Sequence, residues 1–217
     1  MKKSGRYDTF SLIEDQHEPG SQGRVLKNLP GIKGKREISR LETRELLNAT
    51  KVLIETIGLD HKFTKEDINY MHRLWMGSIY EWAGRYRQVV MSKSGFTFAS
   101  PAFIPELMSE FEQDALSKYT PCKFILREDL LHAIAVVHVE FLLIHPFREG
   151  NGRLARLLSL LMALQAGLPL LDFSEIKGDV REKYFAAVRA GIDRDYSPMI
   201  RIFSDVISLT LRNYERN

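Results

Sequence analysis

Hydrophobic residues recur along most of this chain at the three- and four-residue spacing of helices that bury one face. In the segment 37–57, Ile38, Leu41, Leu46 and Leu53 follow this spacing. Capping residues, glycines and prolines mark where such segments begin and end. The pattern predicts helices over residues 37–57, 64–82, 105–119, 128–144, 153–166, 179–190 and 197–213.

The segment 86–98 departs from this helical pattern. Apolar and polar positions alternate briefly on both sides of Lys93, Ser94 and Gly95, which is typical of a β-hairpin whose turn uses the glycine. An isolated hairpin is only marginally stable in water, so we expect this one to rest on the helices as a flap. The predicted fold class is all-α, a helical bundle with one short β-hairpin flap.

Composition indicates one globular domain without internal repeats. The 217 residues, 44% of them hydrophobic, suffice for a single sizeable core. We expect an N-terminal extension over 1–27, partly mobile, followed by a single domain over 28–217. Residues 1–22 lack an apolar run of signal-peptide length, and polar residues interrupt the most apolar stretch, 157–171. These features predict a cytoplasmic protein without a membrane partner.

Charge and cysteine content argue against several other classes. The 31 basic and 28 acidic side chains leave a formal net charge of +3, too small to indicate nucleic acid as the main partner. The single cysteine, Cys122, excludes a disulfide framework and a cysteine-based metal site. No two of the six histidines have the spacing of a helical zinc site.

The segment 145–156 brings together a histidine, a glutamate, a glycine-flanked turn and two arginines. Gly-Asn-Gly over 150–152 precedes a predicted helix, and glycine freely adopts the backbone angles that turn successive amides toward one point. Together with the positive end of the following helix, such amides form an anion site. Arg153 and Arg156 share a face of that helix, where two guanidinium groups can reach neighbouring phosphate oxygens. The pattern predicts a polyphosphate ligand.

Two further residues of the segment indicate chemistry on that ligand. Glu149 directly precedes the turn, and a carboxylate beside phosphates is repulsive unless a cation such as magnesium lies between them. His145 follows a predicted helix and can accept a proton near neutral pH if its imidazole is neutral. A hydroxyl that enters between His145 and the phosphates would be deprotonated and would attack phosphorus.

Each part alone has an ordinary interpretation: a capping histidine, a simple turn, surface arginines and a solvated glutamate. Their conjunction in one order favours a site. The order resembles the signature of the Fic family, which reads His-Pro-Phe, any residue, Asp or Glu, Gly-Asn-Gly-Arg, two residues, Arg. The segments 80–87 and 92–96 also resemble the flap region of that family, and the resemblance extends over about 28–203.

The resemblance implies a Fic-type helical bundle that transfers AMP from ATP to a Ser, Thr or Tyr hydroxyl of a target protein, with pyrophosphate leaving. It implies that His145 is the general base and that Glu149 is the magnesium ligand. The remaining roles follow by position: Gly150, Asn151 and Gly152 cradle the α- and β-phosphates, and Arg153 and Arg156 position the β- and γ-phosphates.

The resemblance also implies that the flap covers the nucleotide and aligns the target segment by strand-like pairing along 91–98. Lys93, Ser94, Gly95 and Phe96 are candidates for nucleotide or target contact. Tyr184 and Phe185 lie where the family often places aromatic residues, which makes them candidates for the adenosine pocket, although a core role explains them almost as well. Ile192 replaces an asparagine frequent in relatives. We interpret His138 as a hydrogen-bonded core histidine.

Many Fic proteins restrain themselves with a helix bearing Ser or Thr, three residues, then Glu, whose carboxylate pairs with the second motif arginine. No Ser or Thr in this chain has a Glu four residues later. The segment 28–45 instead resembles Fic toxins whose brake is a separate small antitoxin, so we expect a partner that supplies the glutamate to Arg156. Alternatives to AMP transfer are a Doc-like protein kinase or other nucleotidyl or phosphoryl transferase, and a non-catalytic nucleotide-binding interaction module.

Overall fold

The computed structural model describes residues 12–93 and 95–216, and it confirms the all-α fold class with a small hairpin. The observed helical elements lie close to the predicted ones, with one main exception described below. In chain order they are α1 (Lys35–Thr56), α2 (Lys65–Met76), α3 (Ile104–Phe111), α4 (Ser117–Tyr119), α5 (Arg127–Ile144), α6 (Asn151–Gln165), α7 (Gly178–Ala190) and α8 (Ser197–Tyr214).

Helix α5 is the centre of the domain. Its sequence is apolar on nearly every face, and residues such as Leu131, Ile134, Val137 and Phe141 are buried. A helix that is hydrophobic all round requires partners on all sides. It packs against α3, α6, α7 and α8, while α1 packs against α2. The last residue of α5 therefore emerges at a fixed point among these helices, and His145 is the next residue.

Helix α2 ends earlier than predicted. Its start has the expected cap, since the Thr64 side chain accepts from the Asp67 amide and Asp67 accepts from the Thr64 amide. The helical pattern of apolar residues continues to residue 82, but the helix ends at Met76, where the amides of Ile79 and Tyr80 both donate to the Met76 carbonyl. The apolar side chains that follow Met76 are buried although their backbone forms turns. The apolar pattern alone therefore did not reveal where the helix ends.

The segment predicted as one helix over 105–119 is helical throughout but irregular. A 3-10 turn, Pro101–Phe103, precedes α3, and a π-helical stretch, Glu112–Leu116, joins α3 to α4. The π-helical stretch is a local widening of the helix and does not end it.

The predicted hairpin is present but short. Strands β1 (Ser92–Lys93) and β2 (Phe96–Thr97) pair antiparallel, with Ser92 opposite Thr97 and Lys93 opposite Phe96. Gly95 has a φ of 76°, the left-handed value that favours glycine in such turns. Ser94 lies outside the described residues. In the rest of the predicted segment 86–98, the Tyr86 hydroxyl accepts from Asn69 of α2 at 3.3 Å, and Phe98 stacks on the ring of His145.

Residues 12–27, the described part of the predicted N-terminal extension, pack against that body. Val25 is buried, and His17 and Leu26 form an isolated antiparallel bridge. Glu14 is also buried, and its carboxylate accepts a 2.6 Å hydrogen bond from the Gln88 amide at the root of the flap. Among the described helices, none combines the length and apolar character needed to cross a membrane.

Candidate active site

A cavity of about 680 Å³ lies between the 145–156 segment, the flap and α7. It collects most of the residues singled out from the sequence. Its lining includes His145, Glu149, Gly150, Asn151, Gly152, Arg153, Arg156, Lys93, Phe96, Tyr184 and Phe185. Gly95, at the tip of the flap, is not part of the lining.

The cavity is strongly cationic. Among the described residues its lining holds seven basic side chains, which are Lys93, Arg148, Arg153, Arg156, Lys177, Arg181 and Arg189. Glu149 is the one carboxylate in that lining. A concave surface of one charge sign concentrates ligands of the opposite sign, so the cavity suits a polyanion.

The two glycines of the turn have different reasons to be glycine. Gly150 has a φ of 87°, and a Cβ there would lie 2.8 Å from the Trp75 ring. Gly152 lies inside α6, and a Cβ there would meet only the Arg156 Nη1 atom at 3.8 Å. The expectation that both glycines serve unusual backbone angles is therefore wrong for Gly152, which is part of α6 and has no positive φ.

Asn151 holds the shape of the loop. Its side chain is buried, with Oδ1 accepting from the Phe147 amide at 2.9 Å and Nδ2 donating to the Phe147 carbonyl at 2.7 Å. Both polar atoms of the side chain are thus engaged within the loop. The backbone amide remains available to a ligand, because the first amides of a helix have no intrahelical acceptor.

His72, which sequence reasoning did not single out, supports the loop from below. Its Nδ1 accepts from the Gly84 amide at 2.8 Å, so Nε2 carries the proton and donates to the Glu149 carbonyl at 3.1 Å. The ring stacks on Phe147 with centroids 3.9 Å apart. Burial lowers the pKa of His72 to about 4, which keeps this tautomer neutral. His72 thereby ties α2, the entry to the flap and the loop together.

His145 has the geometry of a neutral base. It caps α5 in the left-handed region, with a φ of 54°, and its ring stacks on Phe98 of the flap with centroids 3.8 Å apart. Its Nδ1 lies 3.2 Å from the Leu142 carbonyl, which can only accept, so Nδ1 carries the proton and Nε2 keeps its lone pair. Burial, then nearby Arg87 and Lys93, lower the pKa of His145 to about 4.

Arg87 fixes both His145 and the flap. Its buried guanidinium donates to four carbonyls: His145 at 2.7 Å and Ile144 at 3.3 Å at the end of α5, and Val89 and Ala99 at 2.7 Å each, on the two sides of the hairpin. The expectation from sequence placed Arg87 only in a flap-like region. The structure shows that it joins both roots of the flap to the backbone of the candidate base.

Arg153 is held by negative charge. Its Nη1 lies 2.8 Å from the Glu42 carboxylate and its Nη2 lies 3.3 Å from Glu149, while its guanidinium stacks 4.7 Å from the Trp75 ring centroid. Glu42 is buried on α1 and also accepts a 2.7 Å hydrogen bond from the Tyr80 hydroxyl. Nothing in the sequence pattern identified Glu42, which lies 111 positions before Arg153.

Arg156 has a different environment. Among the described residues, no carboxylate lies within ion-pairing distance of its guanidinium. Its neighbour is Tyr184 of α7, whose hydroxyl lies 2.6 Å from His138 Nε2. Tyr184 and Phe185 therefore both reach the cavity, but the Tyr184 hydroxyl is engaged with the core.

The flap meets α7 across the mouth of the cavity. The Lys93 ammonium lies 4.4 Å from the Phe185 ring centroid, and the Arg181 guanidinium lies 5.5 Å from the same ring. Burial, then the Arg181 charge, lower the pKa of Lys93. Two cations on one aromatic ring favour a ligand that brings negative charge between them.

The site thus combines a neutral histidine, a helix N-terminus and a cavity lined by cations, an arrangement that can hold a polyanion beside a proton acceptor. Residues 62–163 match the sequence model of the Fic/DOC family. This confirms the resemblance stated from residues 145–156.

Individual known proteins extend the match beyond that range. The chain is 28% identical over 197 residues to the protein adenylyltransferase Fic of Nematostella vectensis, an alignment that covers 88% of this chain and 43% of that protein. It therefore spans less than half the length of this curated relative. The fold is similar to that of the FIC domain of Bep5 from Bartonella clarridgeiae, with a TM-score of 0.67, 26% identity, and coverage of 90% of this chain and 94% of that one.

A structure of BepC from Bartonella tribocorum with bound AMPPNP is also similar, with a TM-score of 0.73 and 21% identity, covering 90% of this chain and 97% of that one. At that identity the similarity establishes a shared fold.

Proposed function

We propose that this protein transfers AMP from ATP to a Ser, Thr or Tyr hydroxyl of a target protein. The observation that carries the proposal is the neutral, ligand-facing His145 at the edge of a cavity whose other wall is the N-terminus of α6. The adenylyltransferase name of the curated relatives and the bound AMPPNP in a structural neighbour support the same reaction.

In this reaction His145 Nε2 takes the proton of the target hydroxyl while the hydroxyl oxygen forms a bond to the α-phosphorus. The bond between that phosphorus and the bridging oxygen breaks, and pyrophosphate leaves with the electron pair. The low pKa of His145 keeps the base unprotonated at neutral pH. Its weaker basicity is offset by fixed positioning, since Phe98, Leu142 and Arg87 all restrain the residue.

The first amides of α6 and the two motif arginines stabilise the charge on the phosphates. Backbone amides at a helix N-terminus need no reorganisation during the reaction, which makes them effective electrostatic stabilisers. Gly152 leaves room for phosphate to approach these amides, because no side chain stands over them.

Glu149 is the residue that would hold magnesium. No group of three or more His, Cys, Asp or Glu side chains among the described residues could hold a metal by itself. A single carboxylate in the lining, with a side chain 47% exposed, fits an ion that takes one protein ligand and completes its shell with phosphate oxygens and waters. When bound, such an ion supplies charge neutralisation on the triphosphate.

The flap supplies the surface for the target. We propose that the exposed strand edges of β1 and β2 pair with an extended target segment and hold its hydroxyl near His145. Phe98, which stacks on His145, links the position of the flap to that of the base.

One labelling experiment tests the proposal. The full chain is incubated with magnesium, cell extract and ATP labelled at the α- or the γ-phosphate. We expect protein label from α-labelled ATP only, and we expect its loss in His145→Ala. His132→Ala, which changes an exposed histidine of the same helix outside the cavity, serves as the matched control. Label from the γ-position would identify a kinase, and AMPPNP binding without any label would identify a non-catalytic module.

We further propose that a separate small protein inhibits the enzyme by placing a glutamate against Arg156. The support is the absence of a carboxylate partner for Arg156 among the described residues, together with the lack of the inhibitory sequence pattern in the chain. Co-expression with a small protein that carries this glutamate motif, if a neighbouring reading frame encodes one, should give a complex of low activity. A Glu→Gln change in the partner's inhibitory motif should restore activity; full activity in an intact complex would contradict this proposal.

A further inference from the structure

We propose that His138 and Tyr184 are positioning residues that hold the Arg156 guanidinium toward the terminal phosphates through a neutral, buried hydrogen-bond relay. The inference rests on the proposed function, since it concerns how the same cavity selects a nucleoside triphosphate. It assigns to Tyr184 a role distinct from contact with adenosine, and it assigns to His138 a role beyond packing.

The relay begins in the core between α5 and α6. His138 is buried, and its Nδ1 lies 2.9 Å from Ser159 Oγ and 3.3 Å from the Ala155 carbonyl. Ser159 donates its own proton to the Ala155 carbonyl at 3.0 Å, so its oxygen accepts from His138. Because both partners of Nδ1 act as acceptors, Nδ1 carries the ring proton.

This tautomer fixes the direction of the Tyr184 hydroxyl. His138 Nε2 has a lone pair and lies 2.6 Å from the Tyr184 oxygen, so the hydroxyl donates its only proton to the ring. Burial, then the charge of Arg156, lower the pKa of His138 to about 3, which keeps the ring neutral and able to accept. The Tyr184 oxygen is left with its lone pairs and no proton toward the cavity.

Arg156 is the natural donor to that oxygen, because a guanidinium can only donate. Burial raises the pKa of Tyr184 to about 12, while the nearby Arg156 guanidinium acts in the opposite direction. Tyr184 and Arg156 both line the cavity. In the proposed relay Arg156 donates to Tyr184, and the observed hydrogen bonds continue from Tyr184 to His138, to Ser159 and to the Ala155 carbonyl, one residue before Arg156 in the same helix.

A neutral relay has a specific consequence for ligand binding. A carboxylate would orient the guanidinium but cancel much of its field, whereas a hydroxyl orients it and leaves the charge for a phosphate. The relay therefore favours ligands that extend beyond the α-phosphate. An aromatic wall for adenosine would act equally on ATP and AMP, so the two roles of Tyr184 can be separated.

The test measures the affinity of the full chain for AMPPNP and for AMP, with magnesium present, in wild type and Tyr184→Phe. Loss of one hydrogen bond to a charged group should weaken AMPPNP binding about tenfold and leave AMP binding unchanged. An equal loss for both nucleotides, or no loss for either, would overturn the relay. Failure of the wild type to bind AMPPNP would instead contradict the proposed function.

Two further comparisons separate positioning from a general effect on folding. Tyr119→Phe removes the hydroxyl of another buried tyrosine that contacts a histidine, His132, and should change neither affinity. In an Arg156→Met background, Tyr184→Phe should cause no additional loss of AMPPNP binding.

A second pair of variants covers the case in which Tyr184→Phe does not fold. His138→Gln keeps an acceptor near the position of Nε2 and should retain most of the preference for AMPPNP, whereas His138→Leu should lose about tenfold. If His138→Gln and His138→Leu had the same preference for AMPPNP over AMP, the proposed role of His138 would be refuted.

Discussion

Arg153 and Arg156 lie one helical turn apart on α6, and the structure holds them in opposite ways. Arg153 contacts two carboxylates, Glu42 at 2.8 Å and Glu149 at 3.3 Å. Arg156 has no such partner among the described residues, and it lies near Tyr184 in the lining of the cavity. The same residue type in one motif therefore presents two electrostatic environments. Arg153 is fixed with its charge largely compensated, and Arg156 is oriented with its charge available.

The difference matters because the charge of a guanidinium acts on a phosphate only to the extent that nearby carboxylates do not cancel it. We infer that Arg153 contributes chiefly shape and hydrogen-bond direction, while Arg156 contributes most of the attraction for the terminal phosphates. This asymmetry also gives a reason for an inhibitor to target Arg156, where a carboxylate would find an uncompensated cation.

The largest expected effect comes from breaking the support of Arg153 with Gly150→Ala. The added methyl would lie 2.8 Å from Trp75, the ring on which Arg153 stacks, at a φ of 87° that alanine disfavours. Overpacking and backbone strain together should lower the free energy of unfolding by about 3 kcal/mol. Chemical denaturation measures this change.

Gly152→Ala is the matched control for that substitution. Its methyl would meet only Arg156 Nη1 at 3.8 Å, so stability should change by less than about 1 kcal/mol, in either direction. Affinity for AMPPNP should nevertheless fall, since the methyl stands over the first amides of α6. Equal destabilisation by the two substitutions would show that the glycines do not differ as described.

Smaller effects are expected from Glu42→Gln, which should destabilise the fold but strengthen AMPPNP binding. The change weakens a buried pair and should lower the free energy of unfolding by about 1–3 kcal/mol. It also removes negative charge next to Arg153, so AMPPNP should bind about threefold to tenfold more tightly. Calorimetry and denaturation measure the two quantities. Glu55→Gln, an exposed position on the same helix, should change neither, and weaker AMPPNP binding in Glu42→Gln would contradict the charge argument.

The smallest effect on activity is expected from pH. Because the pKa of His145 is about 4, the base is neutral across pH 6–8, and its titration should change kcat/KM less than about twofold over that range. A pH–rate profile whose acidic limb rises with an apparent pKa of about 6.5 would contradict the low pKa of His145.

Three histidines with lowered pKa values, including His145, make the free energy of unfolding depend on pH below neutrality. The pKa values of His72, His138 and His145 in the folded protein are about 4, 3 and 4, below the ordinary value of 6.5. Below that value the unfolded chain binds protons that the folded chain does not, so the free energy of unfolding should fall as pH decreases from 6.5 toward 4. Denaturation at several pH values in this range gives the slope of the free energy of unfolding against pH. His138→Gln should reduce that slope by about one third.

Much of the site was predictable because its chemistry lies in one contiguous segment. The twelve positions 145–156 specify a base, a carboxylate, a turn and two arginines in an order that local rules can interpret, and the cavity brings them together. Helix positions were likewise predictable where a cap or a proline marks the end, as at Thr64 and Pro146. The assigned roles of these residues in catalysis remain predictions.

The supporting contacts were not predictable, because they join residues far apart in the sequence. Glu42, His72 and Arg87 reach the 145–156 segment from other elements, and no periodicity marks them. The relay through His138 and Tyr184 depends on a tautomer that only its partners determine. The early end of α2 was missed for a related reason, since Ile79, Tyr80 and Trp82 are buried in turns while retaining a helical apolar pattern.

The asymmetry of the two arginines is tested most directly by the AMPPNP affinity of Arg153→Met and Arg156→Met, measured side by side by calorimetry with magnesium present. We expect Arg156→Met to weaken binding about tenfold more than Arg153→Met does, because Glu42 and Glu149 already compensate the charge of Arg153. Equal losses, or a larger loss in Arg153→Met, would contradict it.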